Sequence, residues 1–184
     1  KYFLKSKRPC IVLNAGGFTQ DAPLNIDSRT TYYSRILQSL SEVDAEGVEI
    51  IPQTMPPFPW HFGGQRYQNL FVDPEETRDF CDKNGYRVCL DISHSKLACN
   101  HFKWSFDTFV KVVGPVTAHL HIVDAQGVDG EGLQISEGEI DFAALATELR
   151  ESAPKASFIP ETWQGHKNNG EGFWIALDRL EKWF

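Results

Sequence analysis

Apolar residues fall along this chain in two alternating rhythms. Five short runs of large or β-branched residues have the length and make-up of buried strands: CIVLN (10–14), GVEIIPQ (47–53), RVCLDIS (87–93), TAHLHIVD (117–124) and SFIPETW (157–163). After each run the apolar positions recur at helical spacing. Tyr32, Tyr33, Ile36, Leu37, Leu40 and Val43 share one face of a helix predicted over 28–43, with Gly47 just beyond it. Asp73-Pro74-Glu75-Glu76 reads as an N-cap, a proline at the first helical position and a capping acid, and Gly85 is the stop. Ser105 opens a stretch carrying Phe106, Phe109, Val110 and Val113, closed by Gly114. Asp141 opens another with Phe142, Leu145 and Leu149. The last begins near Gly170 and places Phe173, Leu177, Leu180 and Phe184 on one stripe. No repeat, low-complexity segment or linker interrupts the pattern, so one domain over 1–184 is expected.

Strand then helix, five times over, implies a parallel sheet covered by helices. Two architectures compete. A doubly wound five-stranded sheet fits the length. A (β/α) TIM barrel needs ~250 residues, so 184 residues would form an incomplete barrel lacking its N-terminal β/α units. The opening KYFLKSKR reads as the tail of an earlier helix. An open barrel exposes apolar edges and strand backbone. Pairing with another copy, or with a missing N-terminal segment of the same barrel, is therefore expected.

Composition narrows the partners. Hydrophobic residues make up 41% and charged residues 23%, the balance of a globular domain. The formal charge is -7 and the basic residues do not cluster, which argues against a nucleic-acid partner. No apolar run approaches the ~20 residues of a membrane helix. Cys10, Cys81, Cys89 and Cys99 lack zinc-finger or CxxC spacing and read as reduced thiols of a cytoplasmic protein.

In either architecture the chemistry gathers at the C-terminal ends of the strands. The first ends at Asn14, the second at Gln53, the third at Asp91 and His94, and the fifth at Glu161. The fourth carries His119 and His121, then Asp124. Residues two apart on a strand share a face, so His119 and His121 point the same way. One Gln, one Asp, one or two His and one Glu on successive strands suit a divalent metal with oxygen and nitrogen ligands, such as Mn2+, Co2+, Mg2+ or Zn2+. Taken singly, each has a structural reading. A strand-end Asp caps helices, a strand His is often a satisfied core residue, and Gln53 serves as a core amide. Glu161 resists that reading, because an unpaired buried carboxylate is costly.

In order and spacing these residues resemble the xylose isomerase-like barrel superfamily, which includes sugar isomerases and epimerases, inosose dehydratases and the endonuclease IV group. DISH (91–94) is similar to its D-x-x-H, HIVD (121–124) to its H-x-x-D strand, SEGEIDF (136–142) to its following loop, and IPETW (159–163) to its final strand. The resemblance runs from about residue 9 to the end and makes these barrel strands four to eight. It implies metal ligands at Asp91, His121 and Glu161, a substrate-contacting histidine at His94, and inward-facing support from His119. Two positions depart from the pattern. Gln53 stands where the epimerases carry a glutamate that binds metal and transfers a proton. A glutamine offers a carbonyl oxygen but takes no proton, which puts a symmetric two-base reaction in doubt. Asn14 stands where endonuclease IV-like members carry a histidine.

The function this implies is a divalent-metal-dependent isomerase or epimerase acting on a polyol or hydroxy-ketone sugar, with Glu161 as base and His94 polarising an oxygen. The alternative is a non-catalytic barrel that binds a sugar or a partner protein, with a dehydratase or an endonuclease IV-like hydrolase behind it. Two loops suggest a bulky polar substrate such as a sugar or sugar phosphate. In PPFPWHFGGQRYQN (56–69), Trp60 suits a sugar face, with His61 beside it, and Arg66 suits an anion. His166 and Lys167 lie near a helix start in QGHKNNGEG (164–172), an expected anion seat. Both loops read equally well as structured segments with solvated charges.

Overall fold

The computed structural model describes residues 8–61 and 64–184, apart from the side chain of His61. Five parallel strands form its centre: β1 (Cys10–Leu13), β2 (Glu49–Pro52), β3 (Val88–Asp91), β4 (Thr117–Ile122) and β5 (Ser157–Pro160). β1 pairs with β2, and β3 with β4 and β4 with β5, all parallel. A bridge between Gln53 and Cys89 joins the two ladders. The spatial order is thus the chain order. A doubly wound sheet reverses its order at a switch point, so that alternative is excluded. The order is that of a TIM barrel, and among the described strands it does not close.

Six helices follow or intervene: α1 (Ile26–Ser41), α2 (Pro74–Asn84), α3 (Ile92–Phe102), α4 (Phe106–Val113), α5 (Phe142–Ser152) and α6 (Lys167–Leu180). Successive right-handed crossovers in one direction place them on one face. The main core lies between that face and the sheet, where Leu90, Leu120 and Ile122 meet Leu97, Phe109 and Leu145. The predicted caps hold. Asp73 accepts from the N–H groups of Glu75 and Glu76, Ser105 from Thr108, and Asp141 from Ala143 and Ala144. Gly85 stops α2 in a left-handed conformation, φ 71°. The opposite face, the concave inside of the half-barrel, carries a smaller cluster of Ile51, Cys89 and Ala118 beside Cys10 and Val12. All four cysteines are free thiols.

Three features go beyond the sequence pattern. α3 follows β3 without a break, although ISHSKLACNHF has a weak apolar stripe; it buries Ser93 and Ser95 along with Leu97 and Ala98. The strand after β4 turns into an antiparallel hairpin, Asp124–Gln126 with Gly130–Leu133. Asp124, expected at the strand-end signature, is fully buried and holds the later loop. Its carboxylate accepts from the N–H groups of Gly138 and Ile140 at 2.8 and 3.1 Å. A side chain at Gly138 would strike the Ala125 carbonyl and that carboxylate at 2.4 and 2.5 Å, so SEGEIDF needs its glycine for this close approach.

Among the described residues, β1 and β5 each have no partner strand on their outer side. Ile11 on β1 is 49% exposed and Ile159 on β5 is 43% exposed. No described helix is long and apolar enough to cross a membrane.

Candidate metal centre

Strand register fixes the first two of the candidate ligands. Asp91 and His121 are direct partners across β3 and β4, and Ile159 of β5 is the partner of His121 on the other side. Glu161 lies two residues past Ile159, its N–H on the Ile122 carbonyl at 3.3 Å. One ligand atom each from Asp91, His121 and Glu161 lie within 4.8 Å of one another. His121 Nδ1 is 2.6 Å from Glu161 Oε2 and 3.6 Å from Asp91 Oδ2.

Asp91 is held from several directions. Its Oδ1 accepts from the His94 N–H at 2.8 Å, so it is the N-cap of α3. Its backbone N–H donates to Thr54 Oγ1 at 2.9 Å, and that hydroxyl pairs with buried Ser95 at 3.1 Å. One carboxylate oxygen thus caps the helix, and the other is free of that role. Oδ2 is left for the cluster and accepts from Gln53 Nε2 at 2.8 Å. The Gln53 nitrogen, rather than its carbonyl, faces the cluster, and it also lies 3.1 Å from His121 Nδ1. To act as an oxygen ligand the amide must turn over.

His94 completes the group. Its Nδ1 donates to the Thr54 carbonyl at 3.0 Å and sits 3.4 Å from Asp91 Oδ2. Its Nε2 lies 3.5 Å from Glu131 Oε2 on the hairpin. Thr54, Ser95 and Glu131 carry no motif signal. Glu131 falls in DGEG (129–132), a stretch too short to read as a phosphate loop, and only the folded hairpin brings it here.

The electrostatics suit a cation. Burial opposes charge on His121, but hydrogen bonds to Asp91, Cys89 and Glu161 overcome it and hold the imidazole up to about 12. His94 is likewise disfavoured by burial and raised overall to about 9, chiefly by Asp91 and then Glu131. Burial pushes the Asp91 carboxyl up, yet the two histidines leave it below its ordinary range. In effect a proton on His121 Nδ1 sits between two carboxylates. The donor set, two oxygens and an imidazole nitrogen, fits a divalent ion with bonds of ~2.0–2.3 Å, whose ligand atoms stand within about 4.5 Å of one another.

The remaining predicted residues lie apart from these contacts. Trp60 is 62% exposed on the short hairpin Trp60–His61 with Gly64–Gln65. The Arg66 backbone N–H donates to the Pro59 carbonyl. Lys167 Nζ donates to Gln164 Oε1 at 2.9 Å. The side chain of His61 lies outside the described residues. His119 pairs with Ser157 Oγ at 2.8 Å, and its ring lies 5.4 Å from that of His121. Burial, then His121, lower its pKa.

Comparison with known proteins agrees with the fold. Residues 7–183 match the family model of the xylose isomerase-like TIM barrel. No curated protein matches the sequence significantly. Among solved structures, a D-tagatose 3-epimerase-like protein superposes with a TM-score of 0.62 at 21% identity, over 95% of this chain and 64% of its own. D-Psicose 3-epimerase from Clostridium cellulolyticum H10 gives 0.66 at 15% identity, over 95% and 64%. An L-ribulose 3-epimerase gives 0.65 at 14% identity, over 95% and 62%. The chain thus spans less than two thirds of the length of these structures.

Proposed function

The chain belongs to the xylose isomerase-like TIM barrel family, and from that premise we propose that it is a divalent-metal-dependent sugar isomerase or epimerase. The observation that carries the reading is the convergence of Asp91, His121 and Glu161 at the strand ends. Those three residues would hold the ion, with Gln53 a fourth if its amide turns. A bound Mn2+, Co2+, Mg2+ or Zn2+ supplies a Lewis acid for the neighbouring oxygens of a hydroxy-ketone.

The protein's own groups do the rest. The Glu161 side chain is 51% exposed, so it has a face open to substrate as well as one toward His121. It removes the proton from the carbon beside the carbonyl, leaving an enediolate on the sugar. His94 has its Nδ1 committed to the Thr54 carbonyl, so Nε2, now 3.5 Å from Glu131 Oε2, is the nitrogen that would meet a substrate oxygen. Held up to about 9, it is a donor at neutral pH and stabilises negative charge on that oxygen. Trp60, His61, Arg66 and Lys167 are the loop residues proposed to meet the outer parts of the sugar or its phosphate. The family relatives with solved structures include 3-epimerases of ketoses, which supports a ketose as substrate class.

Gln53 favours a second reading, a binding barrel without catalysis, because its N–H on Asp91 Oδ2 occupies the oxygen a metal would use. Calorimetry with the four ions separates the two. One ion bound per chain, and deuterium entering ketoses from heavy water, supports the enzyme; Glu161→Gln should then abolish exchange. Neither heat nor exchange would leave only the binding barrel.

A further inference from the structure

Thr54 has no part in that mechanism, yet every polar group it carries is spent on β3 and α3, the two elements that meet at Asp91. The β2–β3 ladder ends at the bridge between Gln53 and Cys89. Thr54 adds one rung, its N–H donating to the Cys89 carbonyl at 3.0 Å. The chain then leaves β3, because the next N–H, that of Met55, donates to the Phe71 carbonyl at 2.8 Å. Beyond that point the Thr54 side chain takes over from the backbone. Its Oγ1 accepts from the Asp91 N–H at 2.9 Å and lies 3.3 Å from the Asp91 carbonyl oxygen. The same hydroxyl pairs with Ser95 of α3 at 3.1 Å, and the Thr54 carbonyl accepts from His94 Nδ1 at 3.0 Å. Thr54, Ser95 and Asp91 are all buried, so removing one partner leaves the other unpaired away from water.

The cap on Asp91 fixes Oδ1 against the His94 N–H, but where Oδ2 points also depends on where the Asp91 backbone stands. Thr54 pins that backbone. It also seats the His94 ring. A carbonyl oxygen accepts and never donates, so the proton in that bond belongs to Nδ1, and the ring presents Nε2 to the site. One side chain and one carbonyl of the same residue thus hold a candidate ion ligand and a candidate substrate contact. We propose that Thr54 is a positioning residue that couples Asp91 to His94. This rests on the sugar-enzyme reading above. Thr54 touches neither ion nor sugar. It keeps Oδ2 aimed at His121 and Glu161, and it keeps Nε2 of His94 in a fixed relation to that oxygen. β2 therefore serves the site twice, through the Gln53 amide on Oδ2 and through Thr54 on the backbone behind it.

The test compares Thr54→Val, which keeps the shape and removes the hydroxyl, with Thr54→Ser, which keeps the hydroxyl. The probe is whichever of Mn2+, Co2+, Mg2+ and Zn2+ the wild type binds most tightly. Affinity is measured by calorimetry, well below the melting temperature of each metal-free variant. Thr54→Val should bind the ion about 10–100-fold more weakly than the wild type, the loss expected when a ligand's outer partner goes. Thr54→Ser should stay within about threefold of the wild type. With the ion at saturation, deuterium exchange into ketoses by Thr54→Val should remain about tenfold or more below the wild type, because the His94 ring has lost its seat. Wild-type affinity in Thr54→Val overturns the proposal. So does equal weakening in both variants, which would show that the hydroxyl is not what holds the site. Full recovery of exchange at saturating ion overturns the coupling to His94. If Thr54→Val loses its helix content by circular dichroism, Ser95→Ala decides. It leaves the Thr54 hydroxyl unsupported on the α3 side and should weaken ion binding by about threefold or more; unchanged affinity overturns the proposal. These outcomes leave the functional reading standing. A wild type that binds none of the four ions, or binds one and exchanges no ketose, overturns the functional reading, and the inference with it.

Discussion

The two ends of the same pair of strands solve opposite problems. At the N-terminal end, Glu49 of β2 meets Arg87, which precedes β3, in a two-pronged pair at 2.7 and 2.5 Å. Four residues on, along the same face of each strand, stand Gln53 and Asp91. The first pair is balanced: one cation and one anion, with two guanidinium nitrogens on the two carboxylate oxygens. Hydrogen bonding by Arg87 holds the Glu49 carboxyl below its ordinary range, and nothing is left over. At the C-terminal end, Asp91, Glu161 and Glu131 outnumber what the backbone and Gln53 satisfy, and only protons on two histidines balance them. A charged pair that closes on itself is structural. A cluster that needs a proton to balance it is ready to exchange that proton for something else.

The sharpest way to break this contrast is Asp91→Asn. Asparagine caps a helix as well as aspartate does, so circular dichroism should show the helices retained. Metal affinity measured by calorimetry should fall beyond the ~10–100-fold that loss of a mere supporting partner costs. Affinity kept within tenfold would mean Asp91 is a cap and no more.

A pH series gives an intermediate effect. An unfolded histidine titrates near ~6.5, and the folded values for His94 and His121 are raised to about 9 and about 12. Their contribution to stability is therefore complete below ~6.5 and declines as pH rises through the folded values. The metal-free protein should melt at lower temperature at pH 9 than at pH 6.5. Metal uptake, which must displace the His121 proton, should tighten over the same range by about tenfold per pH unit for each proton released. Melting temperature and affinity rising together would contradict the exchange of a proton for an ion.

The smallest effect is expected at the balanced end. Glu49→Gln breaks a pair whose side chains are partly exposed, at a cost of about 1 kcal/mol or less in denaturant melts. It should leave metal affinity and its pH slope unchanged. A shift in either would show that the two ends communicate.

Much of this was legible in the residues. The five strands announced themselves as β-branched runs, and α2, α4 and α5 through Asp73, Ser105 and Asp141 as caps. Asp91, His121 and Glu161 stood out because each places a polar group where an apolar run ends. α3 was missed because its buried face is built partly of serines: Ser95 pairs with Thr54, and the buried Ser93 hydroxyl has no hydrogen-bond partner among the described residues. Glu131 was missed for another reason. Its neighbours Gly130 and Gly132 read as loop, and its nearness to His94 depends on a hairpin whose register is set by Asp124 pairing with Leu133. Asp124 was marked only as part of the strand-end signature; its carboxylate anchors the backbone of the loop that follows. Periodicity reports which face a residue takes; it does not report what a distant glycine-rich turn carries back.

The strand order has a consequence for how the candidate site is held. Gln53, Asp91, His121 and Glu161 come from the ends of successive strands, so no two of the four share one. Asp91 and His121 are joined by the β3–β4 ladder, but Glu161 depends on the pairing of β5 with β4. A slip of one residue there would turn the end of β5 to its other face and take Glu161 from the other two. The three-residue group is therefore only as fixed as that one register.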